Sequence, residues 1–181
     1  MHRSLQGVLT TIVLMVSLAL PAIATAGDHG VGVAFAGGTL NQCDPCGGSI
    51  DFTGVALFGK IGFTPSWGLL ITYRDMEDDE NLLFGEQDSY TQLAAQVVYM
   101  WLPRQVFRPH VKFGLARTEF EAEVPGFPTL SDDDVAPAFG GGFEVGSPTV
   151  AFFFDYDFTF VDIFDDDFDV GNLNLGIIVK F

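Results

Sequence analysis

Bulky apolar residues recur at every second position along most of the chain. In residues 150–160 the even positions are bulky: Val150, Phe152, Phe154, Tyr156, Phe158 and Phe160. The odd positions there are Ala151, Phe153, Asp155, Asp157 and Thr159. A period of two is the pattern of a β-strand with two unlike faces. The same period predicts eight strands, at residues 30–37, 50–63, 67–74, 89–101, 107–120, 135–146, 149–160 and 172–181.

The predicted connections alternate in length. Those after the second, fourth and sixth strands are short, and each contains a proline (Pro65, Pro103 and Pro148). Those after the first, third, fifth and seventh strands are longer and polar or acidic. This alternation predicts an all-β, antiparallel, up-and-down barrel. An even number of strands with short turns at one end and long loops at the other is typical of transmembrane β-barrels.

The two faces of each predicted strand decide what surrounds the barrel. One face is bulky and apolar in every strand, whereas the other is rich in Gly and Ala with scattered charges. An eight-stranded barrel is too narrow to enclose so many Phe side chains, so the bulky face should point outward into lipid. Trp67, Trp101 and Phe107 should form one aromatic girdle near the short turns, and the second girdle should contain Tyr73, Tyr90, Phe158 and Phe160. The alternative is a soluble, lipocalin-like periplasmic binder with the Phe face inward and Gly and Ala facing water.

The first residues predict export. Arg3 precedes an apolar run at 8–20, and Ala24-Thr25-Ala26 has the small-x-small form that signal peptidase cleaves. The run of about 13 apolar residues is shorter than the roughly 20 that a membrane-spanning helix needs. Residues 1–26 are therefore expected to be a signal peptide for export to the periplasm, and residues 27–181 the barrel domain.

The final strand carries a family resemblance. Its odd positions are apolar, and Asn174, Gly176, Val179 and Phe181 resemble the carboxy-terminal signal that the barrel assembly machinery reads in outer-membrane β-barrels. Val179 stands where an aromatic residue is commoner. Together with the eight strands and the alternating loops, this ending makes residues 27–181 resemble the small OmpA-like, porin-like outer-membrane β-barrel family. The resemblance implies this fold and a place in the outer membrane of a Gram-negative cell envelope.

The acidic residues are unevenly placed. The formal net charge is −16, with no basic stripe to neutralise phosphates, which argues against nucleic acid as a partner. Most acids fall in the long connections, and this outer rim of carboxylates is expected to remain solvated and self-repelling. The alternative is binding of Ca²⁺ or Mg²⁺, with Asp165, Asp166 and Asp167 as the candidate cluster. Divalent ions there could bridge the carboxylates to lipopolysaccharide phosphates. No other cofactor is expected.

Seven ionisable residues fall on the predicted inner face. They are Lys60, Arg74, Lys112, Glu144, Asp155, Asp157 and Lys180. Because an unpaired buried charge is costly, we expect them to form a salt-bridge network that plugs the lumen. The alternative is a narrow or gated solute path lined by the same groups.

The remaining candidate chemistry is sparse. Cys43 and Cys46 fall in the first long loop, and outside the cytosol they favour a local disulfide over a redox pair or a metal site. His29 and His110 are predicted at the short-turn end, away from the serines of the long-loop end, so no nucleophile–base pair is expected and the protein should not be an enzyme. The sequence therefore predicts a monomeric barrel in contact with outer-membrane lipid and lipopolysaccharide, serving envelope structure or surface interaction; the alternative is a narrow channel or uptake barrel for small solutes.

Overall fold

The computed structural model describes residues 28–42, 49–78, 89–122, 130–163 and 166–181. These form eight strands: β1 (Gly30–Gln42), β2 (Ser49–Gly62), β3 (Trp67–Asp78), β4 (Ser89–Met100), β5 (Phe107–Ala122), β6 (Leu130–Gly146), β7 (Val150–Ile163) and β8 (Asp166–Lys180). Within the described ranges, no helix has the length and apolar composition needed to span a bilayer.

The strands form a closed barrel in sequence order. Each strand pairs antiparallel with the next, and β1 closes the barrel against β8 from Gly30↔Lys180 to Gln42↔Phe168. Closure satisfies the backbone hydrogen bonds of strands that would otherwise be edges. The predicted all-β, eight-stranded, up-and-down barrel is confirmed.

The strands extend further toward the long-loop end than the sequence predicted. β3 continues to Asp78, β5 to Ala122, and β6 begins at Leu130. The prediction of a long seventh connection is wrong, because only two residues separate β7 from β8 and their pairing runs up to Ile163↔Asp166. Acidic residues there alternate with inward-facing apolar ones, so the wall of the barrel continues as strand beyond its apolar band.

Burial follows the predicted alternation. Phe152, Phe35 and Phe113 on the outer face are 69%, 61% and 59% exposed. Ala56 and Ala94 on the inner face are almost fully buried. The bulky apolar face therefore points away from the barrel axis, which excludes the lipocalin-like arrangement with the Phe face inward.

One of the two aromatic girdles has the predicted members. Trp67, Trp101 and Phe107 are all about half exposed beside the short turns. The ring of Tyr99 lies 4.7 Å from that of Trp67 and 5.3 Å from that of Trp101. The assignment of Tyr90 to the second girdle is wrong, because its side chain is buried inside the barrel. Tyr90 is on the same face of β4 as Gln92 and Ala94, so the alternation along that strand already predicted that it points inward.

Candidate functional site

Five charged residues meet inside the barrel at the short-turn end. Glu144 accepts hydrogen bonds from Lys60 at 3.0 Å, from Arg108 Nε at 3.2 Å and from Lys180. Asp28, which precedes β1, accepts from Lys60 at 2.7 Å and from Lys180 at 3.0 Å. We call these five residues the lower cluster. Each of its three cations contacts at least one carboxylate, and each of its two carboxylates contacts at least two cations.

An aromatic layer covers the lower cluster. The rings of Phe58 and Phe153 stack with centroids 4.5 Å apart, and the His110 ring stacks on Phe153 at 5.9 Å. Phe153 lies beside Glu144 in the β6–β7 register, and the next inward position of β7 is Asp155. The aromatic layer therefore separates two sets of luminal charges.

A second set of charges, the middle cluster, lies beyond the aromatic layer. Lys112 binds Asp155 and lies 2.7 Å from Asp157 Oδ1, and Arg74 Nη2 binds Asp157. His110 Nε2 lies 3.1 Å from Asp155 Oδ1. All five side chains are almost completely buried. The side chains of Arg74 and Lys112 thus face the two carboxylates of Asp155 and Asp157.

Amides and hydroxyls extend the middle cluster toward the long loops. Arg74 Nε donates to Asn174 Oδ1 at 3.0 Å, and its Nη1 donates to Gln92 Oε1. Gln92 in turn donates to Thr118 at 3.1 Å, and Asn172 donates to Gln92 at 3.2 Å. These contacts orient the guanidinium, whose five donors fit a ring of oxygen acceptors.

Apolar side chains fill the lumen above the amides. The Phe52 ring lies 5.6 Å from Tyr90 and 6.1 Å from Phe120, and Met76 and Val170 are buried in the same core. This upper core is anchored by Asn172, which donates to the Tyr90 hydroxyl at 3.3 Å. The interior is thus a sequence of layers: charged, aromatic, charged, amide and apolar.

Several buried polar atoms within the lumen have no partner among the described residues. They are both ring nitrogens of His29, His110 Nδ1, Gln96 Oε1, Thr159 Oγ1, Asn172 Oδ1 and Asn174 Nδ2. Buried groups of this kind are normally satisfied by ordered water. These atoms are the positions in the lumen at which an ordered water molecule would find a hydrogen-bond partner.

The structure places all seven residues of the predicted lumen network inside the barrel, divided between the two clusters. Sequence reasoning did not include Asp28, Arg108 or His110 in that network. Arg108 and His110 occupy inner-facing positions of β5, so the period of that strand was a usable signal. Asp28 precedes the first strand and gave no such signal. Asn174 and Gly176, predicted as part of the assembly signal, also line the inner wall of β8, with Asn174 bound to Arg74.

Other predicted site residues cannot be placed with side-chain detail. Cys43, Cys46 and Asp165 lie outside the described residues, and Asp166 and Asp167 are described only as backbone at the start of β8. Across the side chains that are described, no group of three or more His, Cys, Asp or Glu is arranged to hold a metal ion. His29 and His110 lie in the short-turn half, whereas Ser49, Ser89 and Ser131 lie at the opposite ends of β2, β4 and β6.

A family model described as the outer membrane protein beta-barrel domain matches residues 10–181. The chain belongs to this family. A sequence comparison with curated proteins finds no match. This outer membrane β-barrel protein lies in the outer membrane, where its apolar exterior contacts lipid. Its strands cross the membrane.

Solved structures share the fold of this outer membrane β-barrel protein. Neisserial surface protein A (NspA) superposes with a TM-score of 0.68 at 12% identity, covering 83% of this chain and 97% of its own. Ail, the attachment invasion locus protein of Yersinia pestis, gives 0.63 at 16% identity, covering 87% and 100%. The outer membrane protein OprG of Pseudomonas aeruginosa gives 0.63 at 15% identity, covering 86% and 96%. Identities this low show the common fold alone.

Proposed function

We propose that this barrel is closed to solutes by its own luminal side chains and serves the outer membrane as a structural and surface-interaction protein. The observation that carries the proposal is that ion pairs cross the full width of the lumen. Lys60 of β2 binds Glu144 of β6, and Arg74 of β3 binds Asp157 of β7. Each pair joins strands four positions apart in a ring of eight, which are opposite walls.

Opening such a lumen would be costly. A solute would have to separate Arg74 from Asp157 and displace the Phe58–Phe153 stack, leaving charges uncompensated in a space that eight strands make barely wide enough for side chains. The two clusters and the aromatic layer therefore act as successive barriers. They also connect distant strands through the middle of the barrel, which stiffens the wall.

The outer rim supports a role in surface interaction. Asp51, Asp75, Glu77, Glu119 and Glu121 are exposed at the long-loop ends of β2, β3 and β5. The structure of Ail has been solved with the heparin analogue sucrose octasulfate, a polyanion. A rim of carboxylates repels polyanions, so the partners we propose for this chain are cationic groups, or lipopolysaccharide phosphates bridged by Ca²⁺ or Mg²⁺. We propose no catalytic activity for it.

A narrow channel is the second candidate function. The luminal atoms that have no partner among the described residues, such as Gln96 Oε1 and Thr159 Oγ1, favour it because ordered water could bind them between the layers. Water at separate sites does not by itself make a continuous path.

Planar-bilayer recording of the purified barrel separates the two functions. If the lumen is closed, the wild-type protein gives no steady conductance. Shortening one side chain in each of the lower cluster, aromatic layer, middle cluster and upper core, in Lys60→Ala/Phe58→Ala/Arg74→Ala/Phe52→Ala, should produce current steps. Folding of both proteins is checked by heat-modifiable gel mobility. Steady wild-type currents whose ion selectivity changes in Asp155→Asn would instead show that the lumen conducts and would overturn the proposal.

A further inference from the structure

The wall of the barrel is split between β6 and β7 at the long-loop end. Backbone pairing of these strands ends at Ala138↔Thr159, although β6 starts at Leu130 and β7 continues to Ile163. Beyond this point each strand pairs only with its other neighbour, β5 or β8. Pro137, the first unpaired residue of β6, has no N–H to donate to β7.

A side chain spans the gap in place of a backbone hydrogen bond. Asp162 N donates to Asp134 Oδ2 at 3.0 Å, and Asp134 Oδ1 accepts from Val135 N at 2.6 Å. The carboxylate of Asp134 therefore links the two strands where their backbones no longer pair. The split is a defined feature of the wall and leaves a cleft below the Asp134–Asp162 contact.

The cleft is a cavity of about 640 Å³ that is lined by residues from both faces of the wall. Val135, Pro137 and Phe160 line it on the lipid-facing side, and Ala136, Val161 and Phe168 line it on the inner side. The volume falls in the range of small-molecule sites, which are mostly apolar with a few placed polar groups.

The polar part of the cleft has one sign of charge. Asp134, Asp162 and Asp169 are the ionisable residues that line it, and its described lining contains no Lys or Arg. Arg117, which lies opposite Val135 in the β5–β6 register, is exposed and bound to Asp133 at 3.0 Å. An apolar slot with carboxylates at its mouth is complementary to a molecule with an apolar chain and a positive head.

We propose that the β6–β7 cleft is a binding site for cationic amphiphiles that reach it from the outer leaflet. The apolar chain lies between Pro137 and Phe160 against Val161 and Phe168, and the ammonium group contacts the carboxylates of Asp134, Asp162 and Asp169. Anionic lipid head groups are disfavoured at the same mouth because three carboxylates would face them. The proposal does not depend on whether the lumen conducts.

Photolabelling of the folded protein tests the proposal. The full barrel is placed in nanodiscs of palmitoyl-oleoyl phosphatidylcholine and exposed to dodecylamine carrying a mid-chain diazirine, or to dodecanoic acid with the same diazirine. Labelling of peptides containing residues 134–137 and 160–162 is measured by mass spectrometry and divided by labelling of the lipid-facing residues of β2. This ratio removes differences in how the two probes partition into lipid, and for the control variant below the reference is instead Val111 and Phe113 of β5, which lie away from the altered charges.

We expect the amine to label the cleft about five-fold more than the acid does, the size expected for a few partly exposed ion pairs. Asp134→Asn/Asp162→Asn/Asp169→Asn should abolish the preference. Asp51→Asn/Asp75→Asn/Glu77→Gln removes the same charge from the opposite side of the barrel and should leave the preference intact. Equal labelling of the cleft by the two probes would overturn the proposal. An equal loss of the amine preference in the two triple variants would overturn it as well.

Discussion

Glu144→Gln should strongly destabilise the barrel, because it removes the carboxylate on which the lower cluster depends. Glu144 contacts Lys60, Arg108 and Lys180, and its side chain is only 2% exposed. The lower cluster then changes from three cations facing two carboxylates to three cations facing Asp28 alone. Glutamine keeps the size of the side chain, so the effect reports charge and not packing.

The magnitude follows from burial. Removing one partner from a buried ion pair costs about 3–5 kcal/mol, because the remaining charge stays desolvated without compensation. Asp28 is 21% exposed and can compensate only partly, and the amide oxygen of Gln can still accept one hydrogen bond. We therefore expect a loss of about 3 kcal/mol in the free energy of unfolding, the lower end of that range.

Asp133→Asn is the matched control. Asp133 also forms an ion pair, with Arg117 at 3.0 Å, but the two side chains are 49% and 56% exposed. Exposed pairs contribute about 0–1 kcal/mol. The same chemical change therefore has a small predicted cost on the outer surface and a large one in the lumen.

Reversible urea unfolding in lipid vesicles provides the measurement. Trp67 and Trp101 face lipid, so their fluorescence reports the transfer of the wall from membrane to water. The slope of the free energy against urea concentration should stay unchanged while the midpoint falls. If the losses in unfolding free energy caused by Glu144→Gln and Asp133→Asn differ by less than about 1 kcal/mol, the lower cluster is as well solvated as a surface ion pair. The reasoning that closes the lumen with desolvated charges would then be refuted.

Three further outcomes test other parts of the structure. Phe58→Ala removes half of the Phe58–Phe153 stack and should cost about 3–5 kcal/mol in the same urea assay, whereas Phe152→Ala on the lipid face should cost less; equal losses would contradict a packed lumen. Gly114→Ala places a Cβ 2.7 Å from Gln96 Cα and should lower the folded yield on gels, whereas Gly59→Ala meets nothing within 4 Å and should fold normally; equal yields would be the adverse result. Ca²⁺ binding at Asp165, Asp166 and Asp167 stays a prediction: added Ca²⁺ should raise the Tm of the detergent-folded protein, and alanine at the three positions should reduce the rise, whereas an identical Tm with chelator would refute it.

The strands and the direction of their two faces could be predicted because each residue of the wall faces either lipid or the narrow lumen. Phe152 and Phe154 alternate with Phe153 and Asp155, and the barrel is too narrow for the larger set to face inward. The period underestimates the outer ends of the strands because acidic residues such as Glu77 and Glu121 are typical of loops. Met76 and Phe120 continue the inner-facing period there, so the pattern was present although the outer face had become polar.

The pairing of luminal charges could not be derived from the chain alone. Lys60 and Glu144 lie 84 residues apart, and their contact depends on strand tilt and on the register of every pair between them. The period assigned both residues to the inner face but did not give their positions along the barrel axis. The split between β6 and β7 was equally invisible. Pro137 showed that one backbone N–H donor is missing from β6. It did not show how many residues of β6 and β7 would be unpaired beyond it.

Asp28 gives the lower cluster a place in the order of folding. It lies two residues before the first strand and binds Lys180, whose own backbone pairs with Gly30 where the two terminal strands meet. These contacts require both ends of the sheet to have joined, so we expect them to form late in folding. Interactions absent from the folding transition state chiefly slow unfolding. A barrel fastened in this way gains lifetime in the membrane, and loss of Asp28 should shorten that lifetime with little change in the rate of insertion.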